Sequence, residues 1–117
     1  MTREIKFRAF NPEDKSIFGD KMVKKFGFEM KKWIYMQFTG LKDRNGKEIY
    51  EGDIVKGIWG KTNINIFKIV WSNKYASFDG EDKEGERYVF GDYDENLEVI
   101  GNIYENPELL NKDSTKK

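Results

Sequence analysis

The residues best equipped for chemistry in this chain are carboxylates and lysines, because it has neither histidine nor cysteine. Asp43-Arg44-Asn45-Gly46-Lys47-Glu48 has the outline of a calcium loop. Such a loop needs Asp or Asn at its fifth position and Gly at its sixth, and here Lys47 and Glu48 stand there. Asn45-Gly46 reads instead as a hairpin turn, since both residues accept positive φ. Asp79-Gly80-Glu81-Asp82-Lys83-Glu84-Gly85-Glu86 is a second acidic loop, again without Gly at position six. Its carboxylates suit at best a weak Ca²⁺ or Mg²⁺ site, and the run reads as a solvated acidic loop. Lys21, Lys24, Lys25, Lys31 and Lys32 are interleaved with Phe26, Phe28 and Trp33. Lysines that meet phosphates beside rings that stack on bases form a pattern used to bind single-stranded nucleic acid. A formal charge of zero lacks the basic excess of such binders, so a solvated strand face carrying aromatic core residues is the simpler account. Tyr50, Gly52 and Asp53 form a third cluster, for which turn chemistry suffices: Gly-Asp before a strand lets the Asp side chain bond nearby backbone.

The missing residue types exclude much. Histidine is the commonest general acid–base, with an unperturbed pKa of about 6.5. Without it or cysteine, Ser–His and Cys–His nucleophile pairs do not form within the chain. Structural zinc, held almost always by His and Cys, is not expected either. What remains is a carboxylate hydrolase, which needs two acids facing each other at ~5–10 Å. No enzyme, metal or cofactor is expected.

The elements that must position these residues are mostly strands. Within 117 residues, enough for one domain, 15% are aromatic and 36% charged; no run approaches a membrane span. Ile5, Phe7 and Ala9 alternate with Lys6 and Arg8, the pattern of a half-buried strand with the apolar set inward. Asn11-Pro12-Glu13-Asp14 reads as a turn. Residues 17–32 fit two periods, Met22/Phe26/Met30 at helical spacing and Phe26/Phe28/Met30 at strand spacing; Gly27 penalises a helix by about 1 kcal/mol, which favours strand or hairpin. Strands are expected at 33–38, 54–59, 64–71, 75–78, 87–90 and 97–104, the last with a bulge at Gly101. Helix is expected only at the end, where Asn106 caps, Pro107 opens and Leu109 and Leu110 pack back on the sheet. Many short, turn-separated strands imply a small barrel or sandwich.

Three blocks carry a resemblance: Arg3-Glu-Ile-Lys-Phe-Arg-Ala-Phe10, the run Gln37-Phe-Thr-Gly-Leu-Lys-Asp-Arg-Asn-Gly-Lys-Glu-Ile-Tyr-Glu-Gly-Asp-Ile-Val55, and Glu98-Val-Ile-Gly-Asn-Ile-Tyr-Glu-Asn-Pro-Glu-Leu-Leu110. In that order the chain resembles the YopX-like family, whose members are encoded by bacteriophages and prophages. The stretches 11–36 and 56–96 are the family's more variable parts. The resemblance implies a mainly β, SH3-like barrel or roll with hairpin additions and a short C-terminal helix. It implies one domain over 1–110 with a frayed charged tail at 111–117. No activity is established for the family, so it supplies no catalytic residues.

Charge is segregated along the chain. Residues 1–58 hold 13 basic and 9 acidic groups, and residues 59–117 hold 8 and 12. Opposite patches on one chain can complement each other between copies. The expected interaction surface is therefore Lys21, Lys24, Lys25, Lys31, Lys32 and Trp33 on one side and Glu81, Asp82, Glu84 and Glu86 on the other. The first N-terminal residues hold no apolar stretch of secretory length. The combined expectation is a cytoplasmic, non-enzymatic phage accessory protein that self-associates and binds a protein partner, with a nucleic-acid-binding barrel as the alternative.

Overall fold

A computed structural model of the chain describes residues 5–26, 32–59, 63–89 and 96–111. The fold is mainly β, as the alternation predicts. Strands β1 (Phe7–Asn11), β2 (Ser16–Phe18), β3 (Ile34–Lys42) and β4 (Glu48–Tyr50) form one antiparallel sheet in the order β2-β1-β3-β4. Strands β5 (Asp53–Trp59), β6 (Asn63–Ser72), β7 (Ser77–Glu81), β8 (Arg87–Tyr88) and β9 (Leu97–Asn102) form the second, in the order β8-β7-β6-β5-β9. The second sheet curls into a half-barrel, and the β3–β4 hairpin closes part of its open side. Asp43, at the hairpin tip, accepts the amide hydrogens of Asn45, Lys47 and Val99 at 2.9 Å each. Arg44 N donates to Leu97 O at 2.9 Å. The outer edge of β9 is thereby covered, which removes an invitation to pair with another strand.

The Asn45-Gly46 turn forms as expected, with Gly46 at φ 82. The bulge beside Gly101 is present: Ile54 pairs with Gly101 while Val55 pairs with Val99, leaving Ile100 extra. Gly101 is needed for space. A Cβ there would lie 2.6 Å from Asn106 Oδ1 and 2.9 Å from Leu109 Cδ1, because the 3₁₀ helix Pro107–Asn111 lies across the sheet at this point. Asn106 does not cap that helix through its side chain as expected; its Oδ1 accepts Asn102 N at 3.3 Å. Residues 112–117 of the expected frayed tail lie outside the described residues.

Three expectations are corrected. Residues 20–26 form a helix, α1 (Asp20–Phe26), preceded by the short β2. The i, i+4 spacing wins there because Asp20 sits in the first turn and Lys24 and Lys25 in the last, matching the helix dipole. Val23 turns into the core at 2% exposure. Helix is therefore not confined to the chain end. Next, β7 starts at Ser77, because 73–76 form a turn with Ala76 at φ 52, and Ser72 Oγ accepts Tyr75 N. Finally, β1 is covered on both faces: Ala9, on the expected apolar face, is fully buried, and the face bearing Lys6, Arg8 and Phe10 meets the core as well. Ile5 is exposed, whereas Phe10 is buried and Arg8 largely so.

Two apolar clusters follow. Phe10, Met36, Phe38 and Tyr50 fill the first sheet's side. Ile49, Val55, Phe67, Ile69 and Leu97 fill the half-barrel.

Candidate functional site

Between the two clusters lies a buried ion pair. Arg8 Nη2 on β1 donates to Asp53 Oδ1 at the head of β5, with side chains 13% and 1% exposed. Asp53 Oδ2 accepts Tyr50 N at 2.8 Å, so the carboxylate bonds three residues back. The guanidinium lies over the Tyr50 ring, 4.6 Å from its centroid. Tyr50 OH donates to Glu48 Oε1 at 3.0 Å, and Glu48 pairs with Lys6. Burial pushes the Asp53 carboxyl upward, against the pull of Arg8 and the Tyr50 amide. Burial and the Glu48 bond push the Tyr50 phenol up to about 12. Arg8 Nε is buried without a hydrogen-bond partner among the described residues. The network is walled by β1, β3 and β5, and its chemistry is that of a clip between sheets. The intervening Gly52 takes φ +88 in the corner between β4 and β5, and its amide donates to Ile69 O at 2.9 Å.

An accessible feature is the mouth of the half-barrel, lined by residues of β3 and of the β6–β7 hairpin. Trp71 and Phe78 are cross-strand partners with ring centroids 4.9 Å apart, edge to face. They floor two adjoining concavities. One, of about 280 Å³, is bounded by Gln37, Glu51, Trp71 and Phe78. The other, of about 360 Å³, runs past Thr39 and Leu41 to Val89. Trp71 is 39% exposed and Val89 71%. The Trp71 indole N–H is taken by Asn73 Oδ1 at 3.0 Å, which fixes the ring without using its outer face. Glu51 pairs with no cation among the described residues. Its nearness adds to burial in pushing the Tyr104 phenol upward.

The residues singled out by sequence are scattered. Lys21, Lys24 and Lys25 lie exposed on α1. Lys24 pairs with Asp20 at 2.9 Å, and Lys32 with Glu13 at 2.8 Å. Lys31 lies outside the described residues. Trp33 is stacked on Phe18 at 4.6 Å and met edge-on by Phe26. On the acidic side, Glu81 pairs with Lys68 at 3.4 Å and with Arg87 at 3.3 Å. Asp82 closes its own turn, Oδ1 accepting the amides of Glu84 at 3.0 Å and Glu86 at 2.9 Å. Glu84 and Glu86 side chains are exposed. Among the described residues, no group of three or more acidic side chains is placed to hold a metal ion. Also among them, no helix is long and apolar enough to cross a membrane. Sequence reasoning missed Arg8, Trp71 and Phe78 as site residues, and it assigned Asp53 to turn chemistry, which its bond from Tyr50 N bears out, without the ion pair. Arg8 before the Gly52-Asp53 corner was the available signal for the ion pair, but only topology brings the two together.

A curled half-barrel with an aromatic, open mouth and a buried charge clip defines a small, mainly β protein. The family model described as YopX protein matches residues 20–111, and the chain belongs to that family. The crystal structure of protein EF1440 from Enterococcus faecalis is similar, with a TM-score of 0.67 and 26% identity over 93% of this chain and 99% of that one. No curated protein matches the chain significantly.

Proposed function

We propose that the chain is a non-enzymatic accessory protein of a bacteriophage or prophage, working in the cytoplasm of the bacterial host. It acts through self-association and the binding of a protein partner at the half-barrel mouth. The observation that carries this is Trp71, 39% exposed beside Phe78 in an open concavity. Tryptophan is prominent among residues that dominate contact energy. The resemblance to phage-encoded proteins supports the setting. Light scattering at low and high salt tests it, at about 100 μM so that weak association is visible. The expected result is an oligomer that persists at high salt, because salt screens exposed charges and leaves apolar burial intact. A monomer under both conditions refutes self-association. Co-purification from infected cells then tests for the partner.

The nucleic-acid alternative keeps one favourable observation: Lys21, Lys24 and Lys25 are exposed on one short helix near Trp33. The ion pairs of Lys24 and Lys32 and the ring stacked on Trp33 weaken it.

A further inference from the structure

We propose that the pocket bounded by Gln37, Glu51, Trp71 and Phe78 receives α1 of a second copy of the chain, a lysine of that helix entering toward Glu51. This rests on the self-association proposed above and names its two faces. The pocket offers two aromatic rings, a side-chain amide and a carboxylate that pairs with no cation among the described residues. Rings and a carboxylate together select a cation, through the ring quadrupole and a charge-assisted hydrogen bond. An apolar neighbour is selected as well, by the exposed ring of Trp71 and the adjoining wall of Thr39, Leu41 and Val89.

α1 presents that combination. Lys21 and Lys25 stand four residues apart on one exposed stripe, which places them on the same face. Neither has a carboxylate partner among the described residues; Lys25 instead lies 5.6 Å from the Phe26 ring centroid. Beside them, Met22 is 36% exposed and Phe26 41%, an apolar stripe one residue on. The helix packs on β1 and β2, whereas the pocket is bounded by Gln37 of β3, Glu51, Trp71 of β6 and Phe78 of β7, so the two surfaces are different patches of one chain. A contact between different patches is heterologous and propagates into a ring or a filament.

Sedimentation of the full chain over a concentration series tests this, with Glu51→Lys, with Lys21→Glu plus Lys25→Glu, and with all three substitutions together. Each set alone is expected to raise the dissociation constant about tenfold or more, and the combination to return it to within about threefold of the starting chain, as charge complementarity requires. Circular dichroism checks that each variant is folded. A second arm does not depend on those variants. Since the sequence has no cysteine, a Lys25→Cys chain mixed with a Gln37→Cys chain and a short bismaleimide reports only the introduced thiols. A covalent dimer in the mixture is expected. An oligomer that ignores the charge reversals and gives no cross-link overturns the inference and leaves self-association standing. A starting chain that is monomeric at every concentration overturns both. So does a monomer whose tryptophan fluorescence responds to a lysine-bearing apolar peptide, because the pocket's occupant is then another protein.

Discussion

Asp53→Asn isolates the energetics of the clip between the sheets. The substitution preserves shape and keeps an oxygen for the Tyr50 amide, which now lies 2.8 Å from Asp53 Oδ2. It removes the carboxylate charge that pairs with the Arg8 guanidinium, whose side chain is 13% exposed. Arginine does not shed its proton in proteins, so the cation is left buried and unpaired. Breaking a buried pair in this way costs about 3–5 kcal/mol. A chain of 117 residues has about 6–18 kcal/mol in total, at roughly 0.05–0.15 kcal/mol per residue. The loss is thus a large fraction, and the melting temperature is expected to fall by about 10–20 °C. Urea unfolding followed by tryptophan fluorescence measures it. Adding Arg8→Met removes the orphaned charge, and the double variant is expected to recover to within about 2 kcal/mol of the original, since apolar replacement of a buried pair is often neutral. An Asp53→Asn loss below about 1 kcal/mol, the range of exposed pairs, would refute the reasoning.

Other outcomes follow from the same structure. Asp43 is buried, which raises its pKa, but the amides of Val99, Lys47 and Asn45 outweigh burial and hold the carboxyl below its ordinary value. The unfolded chain therefore takes up this proton first as pH falls, so the Asp43 contribution is full above the unfolded value and is lost through the lower folded one. Urea unfolding from pH 7 to pH 3 is expected to show Asp43→Asn less stable at neutral pH, with the gap to the original chain closing in acid; a constant gap contradicts this. Gly101→Ala drives a Cβ to 2.6 Å from Asn106 Oδ1, and the C-terminal 3₁₀ helix is expected to lift, at about 1–3 kcal/mol, seen as faster hydrogen exchange over 107–111. Binding of single-stranded DNA or RNA at physiological salt is expected to be absent or weak by fluorescence anisotropy. Tight binding that falls steeply with salt and is reduced by replacing Lys24, Lys25 and Trp33 would instead establish the nucleic-acid alternative.

What the sequence made legible was local. Asn45-Gly46 marks its turn, with positive φ at Gly46, and the apolar residues at 64–71 and 97–102 mark strands whatever they pack against. Gly101 announced a bulge. α1 was obscured because Phe26 belongs to two competing periods and Gly27 weighs against helix, while the deciding contact is the tertiary burial of Val23. Arg8 looked like a solvent-facing partner of Lys6, since nothing near it in sequence shows that Asp53 arrives 45 residues later to neutralise it. Trp71 has the opposite difficulty. It shares a strand face with Phe67 and Ile69, both buried, and looks like core. It stays partly exposed because it lines concavities shared with Gln37, Thr39 and Leu41 of β3, a tertiary arrangement that the local pattern does not show.

The central claim is that the half-barrel mouth is a contact surface, and sedimentation velocity of the Trp71→Ala chain against the original tests it most directly. Trp71 is partly exposed, so its truncation is expected to leave the fold intact by circular dichroism. Loss of a central contact tryptophan costs about 2 kcal/mol or more, so association is expected to weaken about thirtyfold, shifting the sample toward monomer at the same concentration. A Trp71→Ala chain that associates as tightly as the original would contradict the account.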